Sequence, residues 1–229
     1  MMVEQDAMNE MLDEPAIVTR LLFGFQEEDL DTERLQQQIA FILEIDNLKS
    51  ILRQTYLVND PRHENSAEHS WHLAMMALVL AEYANREVNL LQVLKMLQVH
   101  DIVEIDAGDT YCYDATGNAG KAEREQTAAH RIFGLLPTDQ QAEMHNLWTE
   151  FETRETPEAR FAAALDRLMP ILHNYHTQGR RWREHGVMSQ QVLAHNRHIE
   201  NGSDTLWQYI EAIIQDAVGR GYLTEANEI

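Results

Sequence analysis

Three separated stretches of this chain combine helical periodicity with an ionisable group set among apolar residues. In the first, Trp71, Leu73, Met75, Met76, Leu78, Val79 and Leu80 surround a helix that carries His69. In the second, Leu91, Val93, Leu94, Met96, Leu97 and Val99 run directly into His100-Asp101. In the third, Asp166 stands inside Phe161-Ala162-Ala163-Ala164-Leu165-Asp166-Arg167-Leu168-Met169-Pro170-Ile171-Leu172. Helices apolar on nearly every face belong in a core, where an unpaired polar group costs several kcal/mol. The fold must bring these groups together or give each a partner of its own.

The rest of the chain is helical in pattern. Leu35, Ile39, Ile42, Leu43, Ile45, Leu48 and Leu52 predict a helix from Thr32 to about Tyr56, ended by Asn59-Asp60-Pro61. Asn65, with Glu68 three residues on, reads as the capping box of a helix reaching about Asn85. A core helix over Leu90 to Ile105 follows, then a polar loop over 106–120. Further helices are expected at about 121–134, after a Thr138–Gln141 cap, after Thr156-Pro157, at about 189–200, and at about 204–219 capped by Ser203. Pro170 is expected to kink its helix. No segment alternates with period two over six residues, so the expected class is all-α: one compact domain of about eight to ten helices.

No repeat or linker divides the chain. The expected organisation is an acidic N-terminal arm at 1–30, a helical domain at 31–222 and a C-terminal tail at 223–229. Met1, Met2, Met8 and Met11 with Phe23 and Phe25 suggest an arm that packs on a partner subunit, as in a homodimer or higher homo-oligomer. The formal net charge of −20 disfavours nucleic acids and anionic membranes, so Arg180-Arg181-Trp182-Arg183 reads as a surface loop or subunit contact. No apolar run is long enough for a membrane span, and the acidic start is not a secretory signal. Cys112 is the single cysteine, which suits a reducing compartment and a cytoplasmic setting.

Two imidazoles and two carboxylates from His69, His100, Asp101 and Asp166 make a four-ligand set for one divalent ion. Oxygen and imidazole donors with open positions suit Mn, Co, Fe, Mg or Zn in a catalytic role, which points to a metal-dependent hydrolase. Each group alone has a simpler explanation. His69 is satisfied by a carbonyl, and His72 on the same stripe is a rival ligand or a neighbour of the ligands. Asp166 could pair with Arg167, although Arg167 is expected to point elsewhere on its helix. Arg53 and Arg62 offer planar forks for phosphate oxygens, with Arg62 alternatively tying Glu64 or Glu68 at the helix start.

The order H…HD…D on successive helices resembles the HD-domain superfamily of metal-dependent phosphohydrolases, and more narrowly its 5'-deoxynucleotidase branch. The residues that carry it are Arg62-His63-Glu64-Asn65-Ser66-Ala67-Glu68-His69-Ser70-Trp71-His72, His100-Asp101-Ile102-Val103-Glu104-Ile105-Asp106-Ala107-Gly108-Asp109 and Leu165-Asp166, with Leu48-Lys49-Ser50-Ile51-Leu52-Arg53 upstream. The resemblance runs from about Asn47 to Leu172. It implies an HD-type fold with His69, His100, Asp101 and Asp166 as metal ligands. It further implies Glu104 and Asp109 as catalytic acids beside the metal water and the scissile ester, and Arg53 at the substrate phosphate. Gln54 stands where bacterial members often carry a tryptophan that disfavours ribose. The expected reaction is attack of a metal-bound water on a small phosphate ester, a (deoxy)ribonucleoside 5'-monophosphate. In it Glu104 orients or deprotonates the water and Asp109 protonates the leaving oxygen. An HD-type phosphodiesterase, a nucleoside-triphosphate hydrolase, or a noncatalytic helical scaffold stabilised by its metal are the alternatives.

Overall fold

The structure, a computed structural model, describes residues 30–225. Residues 1–29 and 226–229, and with them the partner packing read from Met1 to Phe25, lie outside the described residues. Helix α1 (Leu30–Glu44) gives way to a 3₁₀ turn at Ile45–Ser50. Strand β1 (Leu52–Tyr56) follows and pairs antiparallel with β2 (His63–Asn65), Leu52 opposite Asn65 and Tyr56 opposite His63. The helix expected to reach Tyr56 therefore stops at Glu44. Leu48 and Leu52 keep a helical spacing, yet the backbone between them turns so that Ser66 N–H reaches the Ile51 carbonyl at 3.0 Å. Asp60-Pro61 closes a hairpin instead of terminating a helix, with Leu57 N–H on the Arg62 carbonyl at 3.1 Å.

Helix α2 (Ser66–Leu80) begins at the expected capping box: Asn65 Oδ1 accepts the Glu68 N–H at 2.9 Å, and Glu68 Oε2 accepts the Asn65 N–H at 3.2 Å. Such a cap fixes the chain's entry to the helix within one turn of His69. Helix α3 (Leu90–Val99) is capped by Asn89, whose side chain accepts the Leu91 and Gln92 N–H groups. It ends six residues before the expected Ile105. From Val99 the backbone tightens, with Ile102 N–H on Val99 O at 3.1 Å and Glu104 N–H on Asp101 O at 3.0 Å, before the short α4 (Glu104–Ala107). His100-Asp101 thus lies on a helix edge with i→i−3 bonding, where neighbouring side chains can converge.

After the short α5 (Ala115–Asn118) come α6 (Lys121–Phe133), α7 (Thr138–Thr153) and α8 (Pro157–His176). Thr138 is the first helical residue of α7 and makes no capping bond; Pro137 precedes it with extended geometry. Thr156 caps α8 as expected, its hydroxyl accepting the Ala159 N–H at 3.1 Å. Helix α8 continues through Pro170, whose missing N–H leaves the Asp166 carbonyl without its helical donor. Helix α8 is the axis of the fold and packs against α2, α3, α7 and β1, and against α11 (Ile199–Gly202) and α12 (Asp204–Gly219). Ala162, Ala163 and Ala164 are buried, and a Cβ on Gly202 would collide with the Arg160 carbonyl, so α11 approaches α8 backbone to backbone.

The segments between differ from the sequence reading in two places. Arg180-Arg181-Trp182-Arg183 is not a loop but the start of helix α9 (Arg180–Glu184), with Trp182 buried. The helix expected at about 189–200 is broken into α10 (Ser189–Asn196) and α11. At the C-terminal end Leu223 is buried and Thr224 bridges Met188. No helix among the described residues is long and apolar enough to cross a membrane.

The helix that carries His69 is not wholly in the core. Leu73, Met76 and Ala77 are buried, but Trp71 and Val79 are each 65% exposed, with Met75 and Leu78 also exposed. These four share one stripe of α2, and Leu91 on α3 is exposed too. Being apolar all round reports two apolar faces, and the described residues cover only one of them.

Candidate metal centre

Four of the sequence-selected side chains meet in the core. His69 Nε2 lies 3.0 Å from Asp166 Oδ1 and 3.9 Å from Asp101 Oδ2. His100 Nε2 lies 3.1 Å from Asp101 Oδ1 and 3.7 Å from Asp166 Oδ1. The two imidazole rings are 5.7 Å apart, centroid to centroid. Ligands about 2.1 Å from one ion stand roughly 3–4 Å from each other, so these separations suit a shared cation. The ring tautomers fit as well. His100 Nδ1 lies 3.0 Å from the Leu97 carbonyl, which fixes its proton there and leaves Nε2 facing the carboxylates without a hydrogen-bond partner. Behind His69, Nδ1 lies 3.5 Å from Glu64 Oε2, and Glu64 is 2% exposed.

The charge balance points the same way. Arg53 reaches in from β1, with NH1 2.6 Å from Asp101 Oδ2 and 3.8 Å from Glu104 Oε2, NH2 3.9 Å from Asp166 Oδ1, and Nε 3.9 Å from Glu64 Oε2. Arg167 Nε stands 3.5 Å from Asp166 Oδ2, so it does not point elsewhere as the sequence suggested. Against these two guanidiniums stand the carboxyl groups of Glu64, Asp101, Glu104, Asp109 and Asp166, all largely removed from water. Burial opposes ionisation of Asp166, but Arg167 and the two imidazoles hold its carboxyl well below the usual range. Burial likewise opposes the charge on His100, yet Asp101 and Asp166 outweigh it and push the imidazole up to about 10. Glu104 goes the other way: burial, and then the negative charge of Asp101, raise it to about 8. Burial, seconded by Asp101 and opposed by Arg53, also raises Asp109. A field that favours protons on His100 and Glu104 favours a divalent cation still more.

Glu104 begins α4, one turn after the His100-Asp101 pair, and its Oε2 accepts the Ser66 hydroxyl hydrogen bond at 2.7 Å. Asp109 lies past Gly108, whose φ of +73° turns the chain into a region L side chains rarely occupy. Asp109, Gln54 and Tyr111 line both a cavity of about 70 Å3 that extends to Arg53 and Arg167, and an adjoining cleft of about 530 Å3. Tyr113, Asp114, Arg124 and His185 also line the cleft. Arg181 from α9 donates to Gln54 Oε1 and places its guanidinium 5.7 Å from the Tyr111 ring centroid.

Two of the sequence-selected residues lie elsewhere. Arg62 is half-exposed and forks onto Glu68, 2.8 and 2.7 Å from its two oxygens, with a third bond to the His63 carbonyl. The nearer helix-start carboxylate takes it, so the structure does not bring it to the cluster. His72 is exposed and turned toward His173, their rings 6.0 Å apart, rather than toward His100. In the sequence, Glu64 stands out only as a partner for Arg62. A signal for its burial was there, since it precedes the capping residue of a helix that carries a buried histidine. Tyr111 and Tyr113 sit in a polar loop with no periodicity to mark them.

The HD domain family model matches residues 45–207. The chain is 32% identical over 144 residues to the 5'-deoxynucleotidase HDDC2 of Danio rerio, covering 62% of this chain and 70% of that protein. It is 31% identical over 135 residues to the human HDDC2, covering 58% and 65%. The chain thus spans about two thirds of the length of the curated relatives it matches. A crystal structure of a predicted metal-dependent phosphohydrolase from Magnetospirillum magnetotacticum superposes with a TM-score of 0.81 at 54% identity, covering 85% of this chain and 98% of that one. An HD-domain phosphohydrolase from Listeria innocua, at 16% identity and a TM-score of 0.60, shares the fold.

Proposed function

The chain belongs to the HD domain family, and from that premise we propose that it is a metal-dependent phosphohydrolase that removes the 5'-phosphate from nucleoside monophosphates. The observation that carries this reading is the meeting of His69, His100, Asp101 and Asp166 beside Glu104 and against Arg53, which itself lines the inner cavity. The 5'-deoxynucleotidase relatives favour a nucleotide monoester over other phosphate esters.

A divalent ion held by His69, His100, Asp101 and Asp166 would act as a Lewis acid toward a phosphate oxygen and make water a better nucleophile. Glu104, buried and anchored by Ser66, is positioned to accept the proton that the attacking water loses. Asp109 sits at the junction of the two cavities, and its raised affinity for a proton suits an acid that protonates the leaving 5'-oxygen. Arg53 lines the inner cavity beside the carboxylates and supplies N–H donors for a phosphate. Tyr111, Tyr113 and His185 give the outer cleft flat faces on which a base can stack. Gln54, held by Arg181, borders the space between and is the side chain that meets the sugar.

The reading is tested by assaying nucleoside 5'-monophosphates, triphosphates and cyclic phosphates with Mn2+ or Co2+ after chelation. Release of inorganic phosphate from the 5'-monophosphates, lost with chelator, is expected. Turnover confined to diesters or triphosphates contradicts it.

We also place this enzyme in the cytoplasm and assign it a homodimer built on the exposed stripe of Trp71, Met75, Leu78 and Val79, because an apolar stripe this extensive is unfavourable in water. Sedimentation is expected to give twice the chain mass of 26.5 kDa, and Val79→Glu to return a folded monomer. A wild-type monomer, or a Val79→Glu dimer, refutes the assignment.

A further inference from the structure

One buried imidazole takes no part in the chemistry above. His173 lies on α8, seven residues or about two turns beyond Asp166. It is 5% exposed, and its Nδ1 makes no hydrogen bond. A buried nitrogen without a partner is uncommon and calls for a reason. The atom nearest in charge is Glu64 Oε2, at 3.9 Å, too far for a hydrogen bond. Opposite both stands His72 of α2, which is exposed and therefore open to solvent. One donor atom from each of Glu64, His72 and His173 falls within 4.8 Å of the others, the same closeness shown by His69, His100 and Asp101.

We propose that Glu64, His72 and His173 form a second metal site, distinct from the buried centre, that takes a transition-metal ion of the Zn2+ or Co2+ type from solvent. Two imidazoles and one carboxylate, with water completing the shell, are the donors such ions favour over Mg2+ or Ca2+. The geometry fits: an ion about 2.1 Å from each donor bridges the 3.9 Å gap between Glu64 and His173 that no hydrogen bond spans. His72 supplies the entry, since it is the one exposed member of the three.

The two sites share a side chain. Glu64 Oε2 also faces His69 Nδ1 at 3.5 Å, where it orients a ligand of the buried centre. An ion on Glu64 draws negative charge away from His69 and weakens its hold on the inner ion. The outer site therefore acts as a brake that engages at high metal concentration. Changes behind a ligand histidine alter affinity by about 10–100-fold.

Metal content after equilibrium dialysis against Zn2+, read by elemental analysis, tests the proposal without relying on turnover. The wild-type chain is expected to bind two ions. His72→Gln, at an exposed position that does not endanger folding, is expected to bind one, its outer affinity falling at least about 10-fold. His173→Gln is expected to match it, with circular dichroism confirming the fold, while Asp166→Asn keeps the outer ion and loses the inner one. One ion in the wild type that Asp166→Asn abolishes, or two in His72→Gln, overturns the outer site and leaves the buried centre standing. No ion in any variant overturns both.

Discussion

Asp166→Asn abolishes tight binding of the inner metal ion and lowers hydrolysis of nucleoside monophosphates by about 10³-fold or more, equivalent to about 4 kcal/mol of transition-state stabilisation. The amide has the size and shape of the carboxyl but lacks its charge. Asp166 Oδ1 faces both imidazoles, 3.0 Å from His69 Nε2 and 3.7 Å from His100 Nε2. Without it, the remaining groups hold one negative charge fewer against Arg53 and Arg167, and the field that favours a cation is reduced. Helix α8 keeps its place, because Phe161, Ala162, Ala163, Ala164, Leu165 and Leu168 carry its packing. Isothermal titration with Mn2+, alongside circular dichroism and a phosphate-release assay, reads all three effects. A folded variant that binds metal as the wild type does would remove Asp166 from the ligand set.

Glu104→Gln separates chemistry from metal binding. We expect kcat to fall by about 10²–10⁴-fold, the contribution typical of a positioned proton-transfer group, with metal affinity little changed because Glu104 is not among the four ligands. The same variant has a signature in stability. Burial and the charge of Asp101 raise Glu104 to about 8 in the folded protein, above its value in the unfolded chain. A raised group contributes stability that is complete below the unfolded value of about 4.3 and is lost as pH rises toward the folded one. Chelated wild-type protein should therefore lose a few kcal/mol of unfolding free energy between about pH 4.5 and 8, over and above its other titrations. Glu104→Gln should flatten that part of the profile. Full turnover in the variant, or an unchanged pH profile of urea unfolding, would contradict the role and environment assigned to Glu104.

Much of the fold was legible because its helices announce themselves locally. Asn65 with Glu68, and Thr156 with Pro157, are end signals whose hydrogen bonds close within one turn, so no distant contact can overrule them. The β1–β2 hairpin was not legible. Leu48 and Leu52 fall on a helical spacing, and a five-residue strand paired with a three-residue one is too short to display alternation. The four central side chains stood out because each interrupts an apolar run. Glu64 and the cleft tyrosines did not, since their burial depends on how the hairpin and the 106–120 loop fold over the cluster. Arg62 shows the limit from the other side. A guanidinium near the right motif is drawn to whichever carboxylate is closest, and Glu68 is fixed in place by its own cap.

The central claim is that side chains from three helical segments hold one cation in the core. Crystals grown with Mn2+ or Co2+ and measured at the absorption edge of that metal test it directly. The account predicts an anomalous peak about 2.0–2.3 Å from His69 Nε2, His100 Nε2 and a carboxylate oxygen of both Asp101 and Asp166. A well-ordered structure in which these four side chains surround no metal, while the protein still releases phosphate, would contradict it.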